Sequence, residues 1–218
     1  MKEQNLLKSN ILKLNTFVLL ILMLTGVSCK KEIDYETEQD YFEIRKNITY
    51  YKGKPFNGIL VKTYKSNYDW SEEAEDVNEE AYIEPNIVLE TFIERTPYTE
   101  GKINGKQKTI IKKSKQLEIL FSEMDYVLGY WKSFKRYYSN GNILHIITYK
   151  SNKNEWEKQQ TYYKNGVVKE EKQYNYKNEV KVNRYYKTGV IKEELIEQGN
   201  GFYTIINKFN EDGSPIRK

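Results

Sequence analysis

Among 218 residues there is one cysteine, Cys29, and one histidine, His145. The first scarcity excludes an internal disulfide and a cysteine-rich metal site, and the second excludes a multi-histidine one. Proline is also rare, with four in the chain, so no proline-rich spacer divides it. Apolar runs are short: the longest, Phe17–Leu24, falls well below the about 20 residues that a spanning helix needs. Neither sign of charge dominates, with 35 Lys+Arg against 31 Asp+Glu and a net charge of +4. That balance gives no general drive toward DNA or RNA, and nucleic acid is not an expected partner.

What is present begins at the N-terminus. Lys2, Lys8 and Lys13 precede the apolar run, and Thr25-Gly26-Val27-Ser28 and then Cys29 follow it. A basic start, a short apolar stretch and small residues form the layout of a secretory signal. Gly26-Val27-Ser28-Cys29 resembles the bacterial lipobox, with Gly26 standing where that pattern usually has Leu, Val or Ile. The resemblance implies that residues 1–28 are a removable signal helix and that Cys29 carries the lipid, so that the membrane is one partner. Stable anchoring takes more than one acyl chain. By analogy, Lys30 after the cysteine favours the outer membrane of a two-membrane bacterium.

Four segments align with one another: Arg136–Ile143, Thr161–Val168, Arg184–Ile191 and, more loosely, Lys208–Ile216. Their glycines, Gly141, Gly166, Gly189 and Gly213, recur at roughly two dozen residues, a period suited to one hairpin per repeat. Asn140-Gly141, Asn165-Gly166 and Asp212-Gly213 predict two-residue hairpin loops with positive φ at both central positions. Thr188-Gly189 is weaker at its first position. Tyrosines and β-branched residues flank each turn, extended stretches follow at Ile143–Tyr149, Val167–Tyr176 and Val190–Glu197, and period-two alternation appears in places, as strands require. Tyr137, Ile143, Ile147 and Tyr149 share one parity, which predicts one face. An isolated hairpin is marginal in water, whereas stacked hairpins bury a common aromatic row.

The Tyr-Tyr-x-x-Gly-x-x-x-x-Glu units are similar to the MORN-variant repeat of bacterial proteins often labelled as antitoxins. Tyr51–Tyr64 resembles the first unit of that family, and Glu100–Lys106 a linker turn within it. The resemblance implies an all-β fold of stacked antiparallel hairpins over residues 48–218. Residues 29–47 are expected to be a tether, and residues 66–97 an irregular or helical insertion. The acidic stretch Asp69–Glu84 in that insertion has no turn glycine and no calcium-loop spacing, so a solvated segment is expected there.

No catalytic constellation emerges. His145 sits between Leu144 and Ile146 in a predicted strand, with no partner suggested by spacing for base catalysis or zinc. The Glu170-Glu171 and Glu193-Glu194 pairs recur because the repeat recurs, and the lysines beside them point to cross-strand ion pairs. There is neither a phosphate-binding glycine loop nor a Gly-x-Ser-x-Gly elbow. The expectation is therefore a non-enzymatic protein with no catalytic, cofactor or metal residues and no small-molecule ligand. Its leading role is an interaction module binding another envelope protein. Capture of a glycan or peptide by exposed Tyr and Trp, Trp70, Trp131 and Trp156 among them, is the alternative, and a concave aromatic row would favour it. The family label implies a third role, an antitoxin-like component.

Overall fold

The computed structural model describes residues 31–69, 87–151, 155–174, 179–198 and 202–216. The signal segment, Cys29, Trp70 and nearly all of the acidic stretch lie outside them. The fold set out below is that of the unit Glu32–Lys218.

The protein is all-β. Its first elements are β1 (Glu32–Asp34), a four-residue helix α1 (Tyr35–Glu38) and a single 3-10 turn (Gln39–Tyr41). A small sheet follows, made of β2 (Phe42–Arg45), β3 (Ile48–Tyr51) and β4 (Lys54–Pro55). The large sheet starts with the long pair β5 (Gly58–Asp69) and β6 (Ile87–Thr99), with the short β7 (Lys102–Ile103) beside β6. It continues through β8 (Gly105–Lys112), β9 (Glu118–Val127) and β10 (Tyr130–Tyr137). The repeats supply β11 (Ile143–Tyr149), β12 (Trp156–Tyr162), β13 (Val168–Tyr174), β14 (Val180–Tyr185), β15 (Ile191–Glu197) and β16 (Tyr203–Lys208). In this 13-stranded sheet each strand from β8 to β16 lies beside its sequence neighbour. All pairings are antiparallel except that of β1 with β5.

Two sequence boundaries are corrected. Glu32–Arg45, expected within the tether, is folded. Ile33 is buried between two exposed acidic residues and packs with Phe56 and Leu60, and the Asp34 carboxylate caps α1 by accepting from the Glu36 N–H at 2.9 Å. A strand of three residues leaves too short an alternation to read. Residues 66–69 and 87–97, expected within the insertion, extend β5 and β6, which pair from Gly58↔Tyr98 to Asp69↔Ile87.

The repeat turns also differ from expectation. Gly141, Gly166, Gly189 and Gly213 have φ of +86°, +87°, +87° and +83°, whereas the residues before them do not enter the positive region. Tyr138 accepts from the Gly141 N–H at 2.9 Å and donates to the Asn142 carbonyl at 2.8 Å, and the other three turns repeat that pattern. These are three-residue loops, a tight turn followed by a left-handed glycine. Only the glycine needs positive φ, which is why Thr188 is acceptable. Asn140, Asn165 and Asp212 serve instead through their side chains, each accepting from the N–H two residues on at 2.8–3.0 Å. Loops with two positive-φ residues occur elsewhere, at Lys52-Gly53, Glu100-Gly101 and Leu128-Gly129.

Three of the four repeat turns, those at Gly141, Gly166 and Gly189, are followed by a bulge at the same place, opposite Arg136/Tyr137, Thr161/Tyr162 and Arg184/Tyr185. The bulge separates Tyr137 and Ile143 from the face of Ile147 and Tyr149, so the uniform parity expected of these four is broken.

Neighbouring repeats are tied by tyrosine hydroxyls. Tyr138 donates to the Tyr162 carbonyl at 2.7 Å, Tyr163 to Tyr185 at 2.8 Å and Tyr186 to Phe209 at 2.8 Å. Tyr138 and Tyr163 are almost wholly buried. Replacing Tyr163 by Phe keeps the ring and leaves the Tyr185 carbonyl short of a donor. The expected cost is about 1–3 kcal/mol, to be measured as a lowered denaturant midpoint at unchanged slope; an unchanged midpoint would show that the ladder contributes nothing.

Candidate functional site

Residues opposite one another across a ladder share a face, so the registers sort the large sheet into two sides. Leu60, Glu90, Phe92, Thr96, Ile111, Ser122, Val182 and Leu195 all fall on one side, and all are buried. Of the buried strand residues of this sheet, Ile93 and Pro97 stand apart on the other. The richer face is also the concave one. On it the Tyr68 hydroxyl of β5 accepts from Arg136 of β10 at 2.6 Å, and the Tyr68 ring meets the Phe121 ring edge-on at 5.2 Å. Three strands lie between β5 and β10. In a flat sheet that separation would be about 19 Å at the usual strand spacing, so the sheet coils around this face.

The small sheet covers one end of the concave face, where Phe42, Tyr51 and Phe56 pack with Leu60 and Tyr98. Among the described residues no element forms a second layer over β11–β16. There the face is crossed by three rows of side chains running perpendicular to the strands.

The first row, next to the repeat turns, is charged. It runs through Arg136, His145, Thr161, Glu170, Arg184, Glu193 and Lys208. Arg184 bridges Glu170 at 2.9 Å and Glu193 at 3.4 Å, and Lys208 holds Glu193 at 2.8 Å. Burial acts to raise the Glu193 pKa, but the hydrogen bonds and charges of Lys208 and Arg184 outweigh it and leave it below the ordinary carboxylate value. The adjacent Glu171 and Glu194 point to the convex side, where Lys158 and Lys181 pair with them at 2.8 and 3.4 Å. The recurring Glu-Glu pairs therefore serve both faces as ion-pair acceptors, and on the concave side a guanidinium fills the space between the two carboxylates.

His145 lies within the charged row. Its Nε2 is buried without a hydrogen-bond partner. Burial, then the Arg136 charge, push its pKa below the ordinary 6.5, against an opposing pull from Glu170. Below pH 6.5 the unfolded chain takes up a proton there that the folded chain resists, so this residue's contribution is complete above 6.5 and declines as pH falls toward its folded value. Denaturant midpoints between pH 5 and 7.5 should fall more steeply for the native protein than for His145→Gln; identical slopes would refute this.

The second row is mainly apolar, with Met124, Phe134, Ile147, Val182 and Leu195, interrupted by Gln159 and Lys172. Val182 is fully buried although no element among the described residues forms a layer above it. Long neighbours shield it: Lys172, opposite Val182 across the ladder, reaches Glu197 at 3.2 Å and the Tyr203 hydroxyl at 2.9 Å, and the apolar stem of such a side chain covers surface while its charged end finds polar partners.

The third row, at the strand ends away from the repeat turns, is aromatic. Tyr126 is opposite Trp131, and Tyr149 opposite Trp156. The Trp131 and Tyr149 rings lie 5.2 Å apart at 60°, and those of Trp156 and Tyr174 lie 4.4 Å apart at 32°. Five adjacent strands, β9 to β13, thus each contribute one ring. The first four rings are half-buried and Tyr174 is 37% exposed. The sequence did not reveal this row, because bulges before Tyr149 and after Trp131 shift the parity that would place these residues on one face.

Among the described residues no group of three or more His, Cys, Asp or Glu could hold a metal ion, and no helix is long and apolar enough to cross a membrane. No protein-family model matches the chain and no curated protein matches it, so the three rows of the concave face are what speak to its role.

Proposed function

We propose that the protein is a membrane-anchored lipoprotein of the cell envelope, tethered through Cys29, and that its repeat sheet is a non-enzymatic module presenting its concave face to another envelope component. The observation that carries the reading is the uncovered concave face itself. Aromatic, apolar and charged rows run side by side across strands of one continuous sheet, half-exposed and held by inter-repeat hydrogen bonds. A preorganised surface of this kind loses little entropy on binding, and aromatic residues supply contact area at low conformational cost.

Two measurements test it. Mass spectrometry of the purified protein should find an acylated peptide beginning at Cys29; a chain starting at Met1 would remove the anchor. A photo-cross-linking residue placed at Thr161 or Gln159, on the concave face, should form adducts in intact cells, whereas one at Gln173 or Lys181, on the convex face, should not. Adducts confined to the convex face would reverse the assignment.

A protein partner docking at the sheet edge is a second reading, favoured by β16. Phe202 is 72% and Ile206 51% exposed there, and an open edge strand offers backbone groups to an incoming strand. Ile206→Lys should abolish that partner's cross-links; their survival would exclude the edge.

A further inference from the structure

The aromatic row has a chemistry of its own. We infer that the strip formed by Tyr126, Trp131, Tyr149, Trp156 and Tyr174 is a binding site for a neutral glycan chain lying across the strands; the inference rests on the reading of the concave face as a binding surface. Three observations carry it.

The first is spacing. Successive rings come from successive strands, and the two ring pairs are 5.2 and 4.4 Å apart. The strip therefore repeats at about one strand spacing and extends over about 19 Å, from β9 to β13. A polymer of ring-shaped units laid perpendicular to the strands meets one aromatic ring after another. The carbon-bound hydrogens of a pyranose face carry partial positive charge and meet the negative faces of the aromatic rings.

The second is the orientation of the rings and what holds it. Neither pair is parallel: the rings are tilted by 60° in one and 32° in the other. The Trp131 indole N–H bonds to the Tyr126 hydroxyl, which in turn donates to Gln107 at 3.2 Å. The Lys150 ammonium lies 5.3 Å from the centre of the Tyr174 ring. The strip is thus fixed before any ligand arrives.

The third is charge. Among the described residues the ion pairs beside the strip are Lys150 with Glu155 at 3.3 Å and Lys132 with Asp125 at 3.9 Å. Within each pair the two charges offset one another, and such flanking polar groups suit hydroxyls. A peptide fits less well. Backbone groups of a sheet bond within its plane, so a peptide strand lying over the rings would bury its amides with no partners there. A sugar keeps its hydroxyls at the rim, in water or against the flanking side chains.

The test uses the full chain, purified in a detergent without a sugar headgroup. It is titrated with cellohexaose, maltohexaose, mannohexaose and the anionic hexagalacturonate by calorimetry and tryptophan fluorescence. At least one neutral hexasaccharide should bind saturably, with an affinity unchanged by raising salt from about 0.05 to about 1 M. Trp156→Ala and, separately, the rim variant Tyr174→Ala should each weaken it about tenfold or more, whereas Lys181→Ala on the convex face should not. Tyr174→Ala, at an exposed position, keeps the test valid should Trp156→Ala fail to fold. The inference is overturned if no neutral hexasaccharide binds, if only hexagalacturonate binds and salt abolishes it, or if Tyr174→Ala binds like the native protein. Concave-face cross-links in cells that persist alongside any of these results would sink the glycan while leaving the binding-face reading in place.

Discussion

Gly101→Ala should unfold the small sheet while Gly141→Ala, a chemically identical change at another left-handed glycine, should be mild. Gly101 has φ of +73° and closes the β6–β7 hairpin. Its carbonyl accepts from the Thr49 N–H at 2.8 Å, and its own N–H donates to the Phe56 carbonyl at 2.8 Å. The turn therefore threads between β3 and the segment before β5. A Cβ there would collide with the Ile48 side chain and the Thr49 carbonyl oxygen. The backbone cannot yield without breaking the two hydrogen bonds, so strain and overpacking combine to about 2–5 kcal/mol. At Gly141 φ is +86° but the Cβ would meet nothing within 4 Å, which leaves only the conformational term of about 1–2 kcal/mol. Thermal melts should show a fall of about 4–20 °C for Gly101→Ala, with new protease cleavage in Phe42–Pro55 ahead of global unfolding. Equal melting temperatures for the two variants would mean that the close approach of β3 to this turn carries no energetic weight.

Ile111→Ala should have the next largest effect, and for a different reason. Ile111 is fully buried and sits with Tyr68, Phe92 and Phe121 on the concave face. The Tyr68 and Phe92 rings both stand edge-on to Phe121, and Arg136 lies 5.1 Å from its centre. Removing three carbons from beneath these rings forfeits their transfer energy and leaves a cavity, because rings held at fixed angles collapse poorly. The expected loss is about 2–5 kcal/mol, or roughly 4–20 °C in melting temperature. The outward-facing Ile87, 60% exposed, should cost under about 0.5 kcal/mol when replaced by Ala. If Ile111→Ala were as mild as Ile87→Ala, the concave face could not be the core of this protein. A loss of Arg136-dependent stability in the same variant, measured by a double-mutant cycle with Arg136→Met, would show that coiling of the sheet and packing of this cluster are one event.

The repeat half of the fold was the most legible part of the chain. The recurrence of Tyr-Tyr and glycine needs no tertiary information, since a left-handed turn residue and flanking β-formers are local requirements. The spacing of Gly141, Gly166 and Gly189 therefore reads directly as hairpins. The N-terminal half was less legible. The long β5–β6 pair carries charged and aromatic residues mixed along its length, and residues 70–86 separate its two strands, so no short turn signal marks the pair. Glu32–Arg45 looks like a tether by composition and is folded because Ile33 and Phe42 find Phe56 and Leu60 across a gap that the sequence does not show.

The candidate site was legible only as a list of aromatic residues. The placement of the repeat strands and turns follows from neighbours in the chain, and this the sequence determined by itself, together with the glutamates that bond lysine and arginine across the ladder; the length of the turn loops it did not. Which face each ring occupies depends on bulges. A bulge is one extra residue accommodated against a partner strand, and no local pattern declares it. Curvature is likewise collective, set by contacts such as Tyr68 with Arg136 between strands that are not neighbours. Tertiary structure alone therefore decided that Trp131, Tyr149, Trp156 and Tyr174 form one row, and that the row lies on the inner face of a coiled sheet.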